Sequence, residues 1–387
     1  MAADDVQSKQ WYLDAMGAKQ IWKYSTGEGV KVAVIDSGVN PRTPSLKGQV
    51  LVDEVPEVAK YHVTQDYDGH GTAMAELIAG TGAGGGIKGL APGAKIIPIR
   101  VGTDRLKDED ERAKTLTSAK AIRAAADSDA KIINMSYGSQ YYDSEEEEAL
   151  KYAASKGKLL FASTGNDGDK GNKRNYPSMD PYAVGVAAID KNGTVGKFSS
   201  YGNHADLAAP GLDIPGWCDN TFTKYCTSEG TSNASAIASA SAALVWSAHP
   251  DWTANQVLRS FIDTAGRTWP RSKPSKYLGY GIIRPRRVLI KKDIDPGPAN
   301  RDPLAAENGT APDEDITAAG GSSAAPSSGA SAKPTKEAGS AGGPTSAAAE
   351  DTDSGSDTQT WVIIGAVAAV LLVGGAGFAV LRARRNA

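Results

Sequence analysis

Four short segments carry side chains suited to acyl-transfer chemistry. Asp36-Ser37-Gly38 closes the apolar run Val32 to Ile35, which places a poorly solvated carboxylate where a buried strand ends. Asp68-Gly69-His70-Gly71-Thr72 puts an imidazole at a helix start, between two glycines that allow tight backbone approach. Ser163-Thr164-Gly165-Asn166 follows a second apolar run and ends in a side-chain amide, and Gly230-Thr231-Ser232 puts a hydroxyl at the start of another helix. A serine hydroxyl is inert until a base removes its proton. The base must be held in one tautomer by a carboxylate, and the oxyanion needs preorganised donors. Each triplet alone is weak. All four together, each at a strand end or helix start, form a strong signal.

The elements that must position these groups are legible as alternating patterns. Val30–Ile35, Lys95–Val101, Ala130–Met135, Lys158–Ala162 and Ala183–Ile189 read as strands, continuous in apolar residues as befits strands buried on both faces. Gly71–Ala79, Leu116–Asp127, Ser144–Ser155, Thr231–His249 and Thr253–Ala265 read as helices. This alternation predicts an α/β fold with a mostly parallel central sheet and helices on both faces. In such sheets chemistry gathers at the carboxyl ends of the strands. The acidic run Asp143-Ser144-Glu145-Glu146-Glu147-Glu148 reads as a helix start with Ser144 as N-cap, the acids favoured by the helix dipole.

The chain has 387 residues, with 42 Lys+Arg against 45 Asp+Glu, a net charge of −3. That balance leaves no electrostatic footprint for nucleic acid. Four histidines and two cysteines, without a His-Glu-x-x-His, point to no metal site and no cofactor. The apolar residues are unevenly spread. Val362 to Leu381 carry no charge and are almost wholly apolar, long enough to span a bilayer as a helix, and Arg382, Arg384 and Arg385 follow. By the positive-inside rule that basic end stays cytoplasmic, so the catalytic part is expected outside the cell on a single-pass membrane anchor. Residues 296–360 are rich in Ala, Gly, Ser and Pro and are expected to form a disordered linker. The expected organisation is a folded domain at 1–295, the linker at 296–360, the membrane helix at 361–382 and a basic tail at 383–387. Met1 to Gln10 is polar and contains no apolar signal core, so either the numbering starts at a mature end or the C-terminal segment alone targets the protein. The first strand follows too soon for a folded prodomain in this chain.

The sequence resembles the subtilisin-like serine proteases, the subtilases. The matching pieces are Val32-Ala33-Val34-Ile35-Asp36-Ser37-Gly38, Asp68-Gly69-His70-Gly71-Thr72, Ser163-Thr164-Gly165-Asn166 and Gly230-Thr231-Ser232. Phe198-Ser199-Ser200-Tyr201-Gly202, Ala208-Ala209-Pro210-Gly211 and Gly279-Tyr280-Gly281 support them. The order Asp, His, Ser is that of subtilisin. The resemblance implies a subtilisin-like fold and serine endopeptidase activity. It makes Ser232 the nucleophile, His70 the general base and Asp36 the orienting carboxylate. Asn166 and the Ser232 backbone N–H would form the oxyanion hole. Ser136-Tyr137-Gly138 and Ser163-Thr164-Gly165 would bind the substrate as the two walls of the primary specificity pocket. The anchored layout is most similar to the mycosins, membrane-bound subtilases of actinobacterial type VII secretion, with Gln10-Trp11-Tyr12-Leu13 and Gly27-Glu28-Gly29-Val30 fitting that group. Partners implied are a peptide or protein substrate, the membrane, and type VII secretion machinery. A leader-peptide maturation protease, and a secretion scaffold with little proteolysis, are the alternatives.

Three positions depart from the family pattern. Ala73 stands where a second His is usual. Asn233 follows the nucleophile and is expected to border the leaving-group side. Ala236 stands where Pro is usual, and Pro would fix φ in the first helical turn. The loop Gly82-Ala83-Gly84-Gly85-Gly86-Ile87 offers no carboxylate or amide side chain, so the calcium that some relatives bind there is not expected. His62, His204 and His249 read as surface or capping residues. Cys218 and Cys226 lie in one loop region on the expected outside, where an oxidising compartment favours a disulfide.

Overall fold

The computed structural model describes residues 3–103, 105–291 and 293–310. The expected linker from 311, the apolar run at 361–382 and the basic tail at 383–387 lie outside the described residues. Among the described residues no helix is long and apolar enough to cross a membrane.

Six strands form one sheet. They are β1 (Lys31–Asp36), β2 (Lys95–Arg100), β3 (Ile132–Met135), β4 (Leu159–Ser163), β5 (Val184–Ile189) and β6 (Leu207–Pro210), in the order β2-β1-β3-β4-β5-β6. Every pairing is parallel. The strand interiors are buried throughout, because helices cover both faces. Side chains alternate between two cores. Val32 and Val34 join one cluster, while Ala33 and Ile35 join the other. A two-stranded antiparallel hairpin, β7 (Ile214–Trp217) with β8 (Tyr225–Ser228), leads into the segment Gly230-Thr231-Ser232. β6 and the hairpin have no counterpart among the runs read from sequence. Each strand is only 4 residues long; Pro ends β6, Pro and Gly interrupt β7, and β8 is half polar.

The principal helices are α1 (His70–Ala79), α2 (Ser118–Asp127), α3 (Ser144–Ser155), α4 (Thr231–Ala248) and α5 (Ala254–Thr264). α2 and α3 cover one face of the sheet, and α1 and α4 the other. α4 is built almost wholly of Ala, Ser and small aliphatic residues, which lets it lie close against β3, β4, β5 and β6. Thr117 caps α2, and Leu116 is held beside Val101 by a parallel bridge, so the helix starts two residues later than its pattern suggests. α3 is capped by Asp143, whose carboxylate accepts the Glu145 N–H, and not by Ser144. A carboxylate is the stronger acceptor, and its charge suits the helix N-terminus. Thr253 and Gln256 form a capping box at the start of α5.

The packed chain extends past 295, where composition places the start of the linker. Leu304 is 2% exposed within the main core. Asn308 Nδ2 donates to the Pro181 carbonyl at 2.7 Å, and the Tyr280 hydroxyl donates to Glu307. One leucine in a polar stretch barely moves a composition average, yet it is buried here, and Thr253, Gln256 and Arg259 hold the same segment by donating to the Ala299, Gly297 and Arg301 carbonyls. Leu304→Ala is expected to lower unfolding free energy by about 2–5 kcal/mol, as for other buried leucines. Denaturant titration checks this, and a loss below about 0.5 kcal/mol would mean that the segment adds nothing to the core.

Candidate active site

Asp36, Ser136 and Ser163 sit at or just past the carboxyl ends of β1, β3 and β4. With His70, Asn166 and Ser232 they line one cleft of about 280 Å³. His70 opens α1, and Ser232 lies in the first turn of α4.

His70 is fixed by close backbone approach. A Cβ on Gly71 would lie 2.2 Å from the Gly38 carbonyl oxygen and 2.9 Å from the Asp36 Cβ, so only glycine lets α1 reach the end of β1. The preceding loop is wound around Asp66, 7% exposed. Its carboxylate accepts the Gly69 and Thr72 N–H groups and the Ser37 and Thr72 hydroxyls, at 2.6 to 2.8 Å. Burial, aided by the Asp36 charge, still holds the Asp66 carboxyl above its ordinary value. Asp68 caps the same turn by accepting the His70 N–H at 2.8 Å and pairs with Arg105 at the cleft rim.

His70 Nδ1 lies 2.8 Å from Asp36 Oδ1. The same oxygen accepts the Ser37 N–H at 2.8 Å, and no donor reaches Asp36 Oδ2. A carboxylate oxygen accepts, so Nδ1 carries the proton and Nε2 keeps its lone pair. Burial pulls the imidazole down, but the Asp36 charge and hydrogen bond outweigh it and leave His70 above the ordinary histidine value.

Asn166 Oδ1 accepts both the Thr231 N–H and the Thr231 hydroxyl at 3.0 Å, which fixes the amide orientation and leaves the Nδ2 protons for the cleft. The Ser232 hydroxyl donates to the Ser136 carbonyl at 3.0 Å, and the Ser136 hydroxyl donates to the Ser232 carbonyl at 3.0 Å. Behind this pair, Asn134 donates to the Ser136 hydroxyl and accepts from Ser235 and Ser239 at 3.0 and 3.1 Å. All four of these residues are buried. This network clamps the helix that carries Ser232 to β3. Its sequence signal is an amide inside an apolar strand, with serines four residues apart on the facing helix.

Tyr137 donates its hydroxyl to Glu146 beneath the cleft, and Thr164 is buried against β5 through a bond to the Val186 carbonyl. Gly138 and Gly165 face each other across Asn175, which no sequence motif marks. A Cβ on Gly138 would lie 2.0 Å from Asn175 Oδ1, and one on Gly165 3.0 Å from Asn175 Cβ. Asn175 Nδ2 donates to the Ser163 carbonyl at 2.7 Å. Its side chain therefore fills the space between segments 136–138 and 163–165.

The departures settle into the packing. Asn233 is 3% exposed and donates to Ser228 at the end of β8, so it does not border the cleft as expected. Its place on the helix turns it toward the hairpin. Ala73 packs beneath Gly216 of β7, and Ala236 is fully buried in α4. Cys218 and Cys226 are joined by a disulfide across the hairpin. The hairpin tip reaches the His70 loop, where Asn220 Nδ2 donates to the Tyr67 carbonyl at 3.0 Å. His62 contacts Glu111, His249 stacks on Trp252, and His204 is half-buried near Thr164; none of them lines the cleft.

The subtilase family matches residues 27–281. The chain belongs to that family. This subtilase is 32% identical over 279 residues to thermitase from Thermoactinomyces vulgaris, covering 70% of this chain and 95% of that protein. Among solved structures, the MycP3 protease of the type VII (ESX-3) secretion system is 30% identical, with a TM-score of 0.59, covering 73% of this chain and 88% of its own. A lanthipeptide protease is 25% identical, with a TM-score of 0.61, covering 75% and 97%. This subtilase is thus a serine endopeptidase of α/β subtilisin-like fold, structurally close to mycosins.

Two outcomes follow for this subtilase. If His70 is the base it must be neutral to act, so kcat/KM is expected to fall as pH drops through a value above about 6.5. Asp36→Asn removes the raising charge and leaves burial, so the residual activity should show its acid limb at lower pH. Asn175→Gly should open the floor of the cleft. Its kcat/KM for peptides with Phe before the cleaved bond is expected to rise at least about tenfold relative to Ala, judged against ~1–3 kcal/mol for apolar pocket contacts. An unchanged ratio would mean that Asn175 does not limit the pocket.

Proposed function

We propose that the chain is a membrane-anchored, extracellular serine endopeptidase that hydrolyses peptide bonds through an acyl-enzyme. The observation that carries this reading is the 2.8 Å contact of His70 Nδ1 with Asp36 Oδ1 in the cleft that also holds Ser232 and Asn166. The substrate lies extended along segments 136–138 and 163–165. The Ser232 hydroxyl turns from the Ser136 carbonyl to His70 Nε2, which takes its proton as Oγ attacks the scissile carbonyl. Asp36 stabilises the imidazolium without taking the proton. The oxyanion is held by Asn166 Nδ2 and the Ser232 N–H. His70 then protonates the leaving amine, and water repeats the sequence on the acyl-enzyme. With Asn175 filling the pocket, the residue before the cleaved bond is small.

The physiological role follows the mycosin likeness. Related structures include MycP3 and a periplasmic assembly from the ESX-5 inner membrane complex, the latter 28% identical with a TM-score of 0.61. The substrates are proteins exported by such a machine, processed where the apolar segment 361–382 tethers the enzyme to the membrane. The likeness to a lanthipeptide protease favours a second reading, removal of a leader from one secreted peptide by the same chemistry.

A fluorophosphonate should label the wild-type protein covalently, and Ser232→Ala and His70→Ala should abolish labelling. Persistent labelling of Ser232→Ala would overturn the nucleophile assignment. Asn166→Ala should lower kcat by about 10²–10³, the cost of that donor in subtilisin. Protease shaving of intact cells should release an active fragment ending beyond Asn308. A fragment that appears only after lysis would invert the topology.

A further inference from the structure

A second cleft, of about 670 Å³, lies on the same rim of the sheet as the active site and shares no lining residue with it. It sits past the ends of β5 and β6, bounded by Ile189 and Pro210, with Trp11 on one side and residues 266–287 on the other. Trp269, Leu278 and Ile282 supply apolar surface, and Arg267, Arg284, Arg286 and Arg287 supply charge.

The charge is not balanced locally. Between residues 266 and 291 the sequence holds eight Lys and Arg side chains and no carboxylate. With a net charge of −3 for the whole chain, +8 here leaves −11 elsewhere. Among the described residues the arginines of the cleft find carbonyls and an amide but no acid. Arg267 Nη1 donates to the Ile262 and Tyr280 carbonyls, and Arg284 donates from Nε and Nη2 to the Thr264 and Ala265 carbonyls. Arg286 Nη1 donates to Gln20 Oε1. Among the described residues Arg287 finds no side-chain hydrogen-bond partner, and it is exposed, as are Arg284 and Arg286. The nearby Asp263 is taken by Arg271, outside the cleft, and Asp190, on its wall, caps the turn 190–194 by accepting the Asn192 and Thr194 N–H groups. Partial desolvation of this largely exposed guanidinium, together with the charges of Arg287 and Arg267, pushes the Arg284 pKa down.

Capping the last turn of α5 accounts for one or two N–H groups of Arg267 and Arg284. A guanidinium has five, arranged to meet carboxylates bidentately. Four such groups around an apolar floor form a site for something both acidic and apolar. We propose that this cleft binds an acidic peptide segment of a partner protein, its carboxylates on the guanidiniums and an apolar side chain on Trp269, Leu278 and Ile282. A peptide senses only the local charge, since fields decay over about 10 Å at 0.1 M salt. The site is independent of the catalytic assignment.

The test uses the full-length protein in detergent micelles, with Ser232→Ala to keep the probe intact. The probe is fluorescein-labelled Glu-Asp-Leu-Asp-Glu, compared by fluorescence anisotropy with Gln-Asn-Leu-Asn-Gln and with Glu-Asp-Gly-Asp-Glu. The first should bind at least about tenfold tighter than the amide peptide and measurably tighter than the glycine peptide. The paired substitutions Arg286→Glu and Arg287→Glu should weaken it at least about tenfold. Lys273→Glu with Lys276→Glu, an equal charge change outside the cleft, should cost less than about twofold. Thermal unfolding confirms that both variants are folded. Equal binding of acidic and amide peptides, equal loss in the two double variants, or binding to phosphatidylglycerol vesicles without binding of the peptide would each overturn the proposal.

Discussion

The site depends on one close approach, α1 against the end of β1 at Gly71. A carboxylate buried at a strand end is costly unless a donor meets it. The molecule supplies that donor by bringing His70 to Asp36 across a gap that admits no Cβ at Gly71. Much else serves this contact. Asp66 gathers the loop that starts α1, Ser37 bridges Asp36 and Asp66, and the disulfide-closed hairpin ties its tip to Tyr67. The Glu76 carboxyl, in the body of α1 and pushed by burial to about 7, accepts from Thr43 and from Tyr225 of β8. The helix that carries the imidazole and the hairpin that leads to Ser232 are therefore joined at two levels.

The second constraint is the clamp on α4. Ser232 is positioned from below by the reciprocal bonds with Ser136 and by Asn134, which reads two serines one helical turn apart. A buried polar network is worth keeping only when each member is satisfied, and here Asn134 uses both ends of its amide. The arrangement fixes the register of the helix against β3, and so the height of the hydroxyl in the cleft.

Much of this was legible in the sequence because the chemistry is local. Asp36, His70, Asn166 and Ser232 stand in short motifs at the ends of patterned elements, and the parallel sheet follows from five continuous apolar runs. What escaped was set by contacts distant in sequence. Asn175 acts because Gly138 and Gly165, 37 and 10 residues before it, leave room for its side chain. Asn134 reads as a blemish in a strand until Ser235 and Ser239 are placed across from it. β6 and the hairpin are too short for periodicity to register, and Leu304 is hidden by its neighbours. Asn233 follows Ser232 directly, yet the helical turn points it away from the cleft. The arginines of the second cleft are scattered over twenty residues, and only the fold gathers them.

The central claim is that Asp36 holds a neutral His70 with its proton on Nδ1 and its lone pair on Nε2. Nitrogen-15 and proton NMR of the imidazole, followed through its titration, reports this directly. The account predicts a protonated Nδ1 and an unprotonated Nε2 at alkaline pH, a midpoint above the ordinary histidine value, and loss of the strongly deshielded Nδ1 proton in Asp36→Asn. An Nε2-protonated tautomer in the wild-type protein, or a midpoint unmoved by Asp36→Asn, would contradict it.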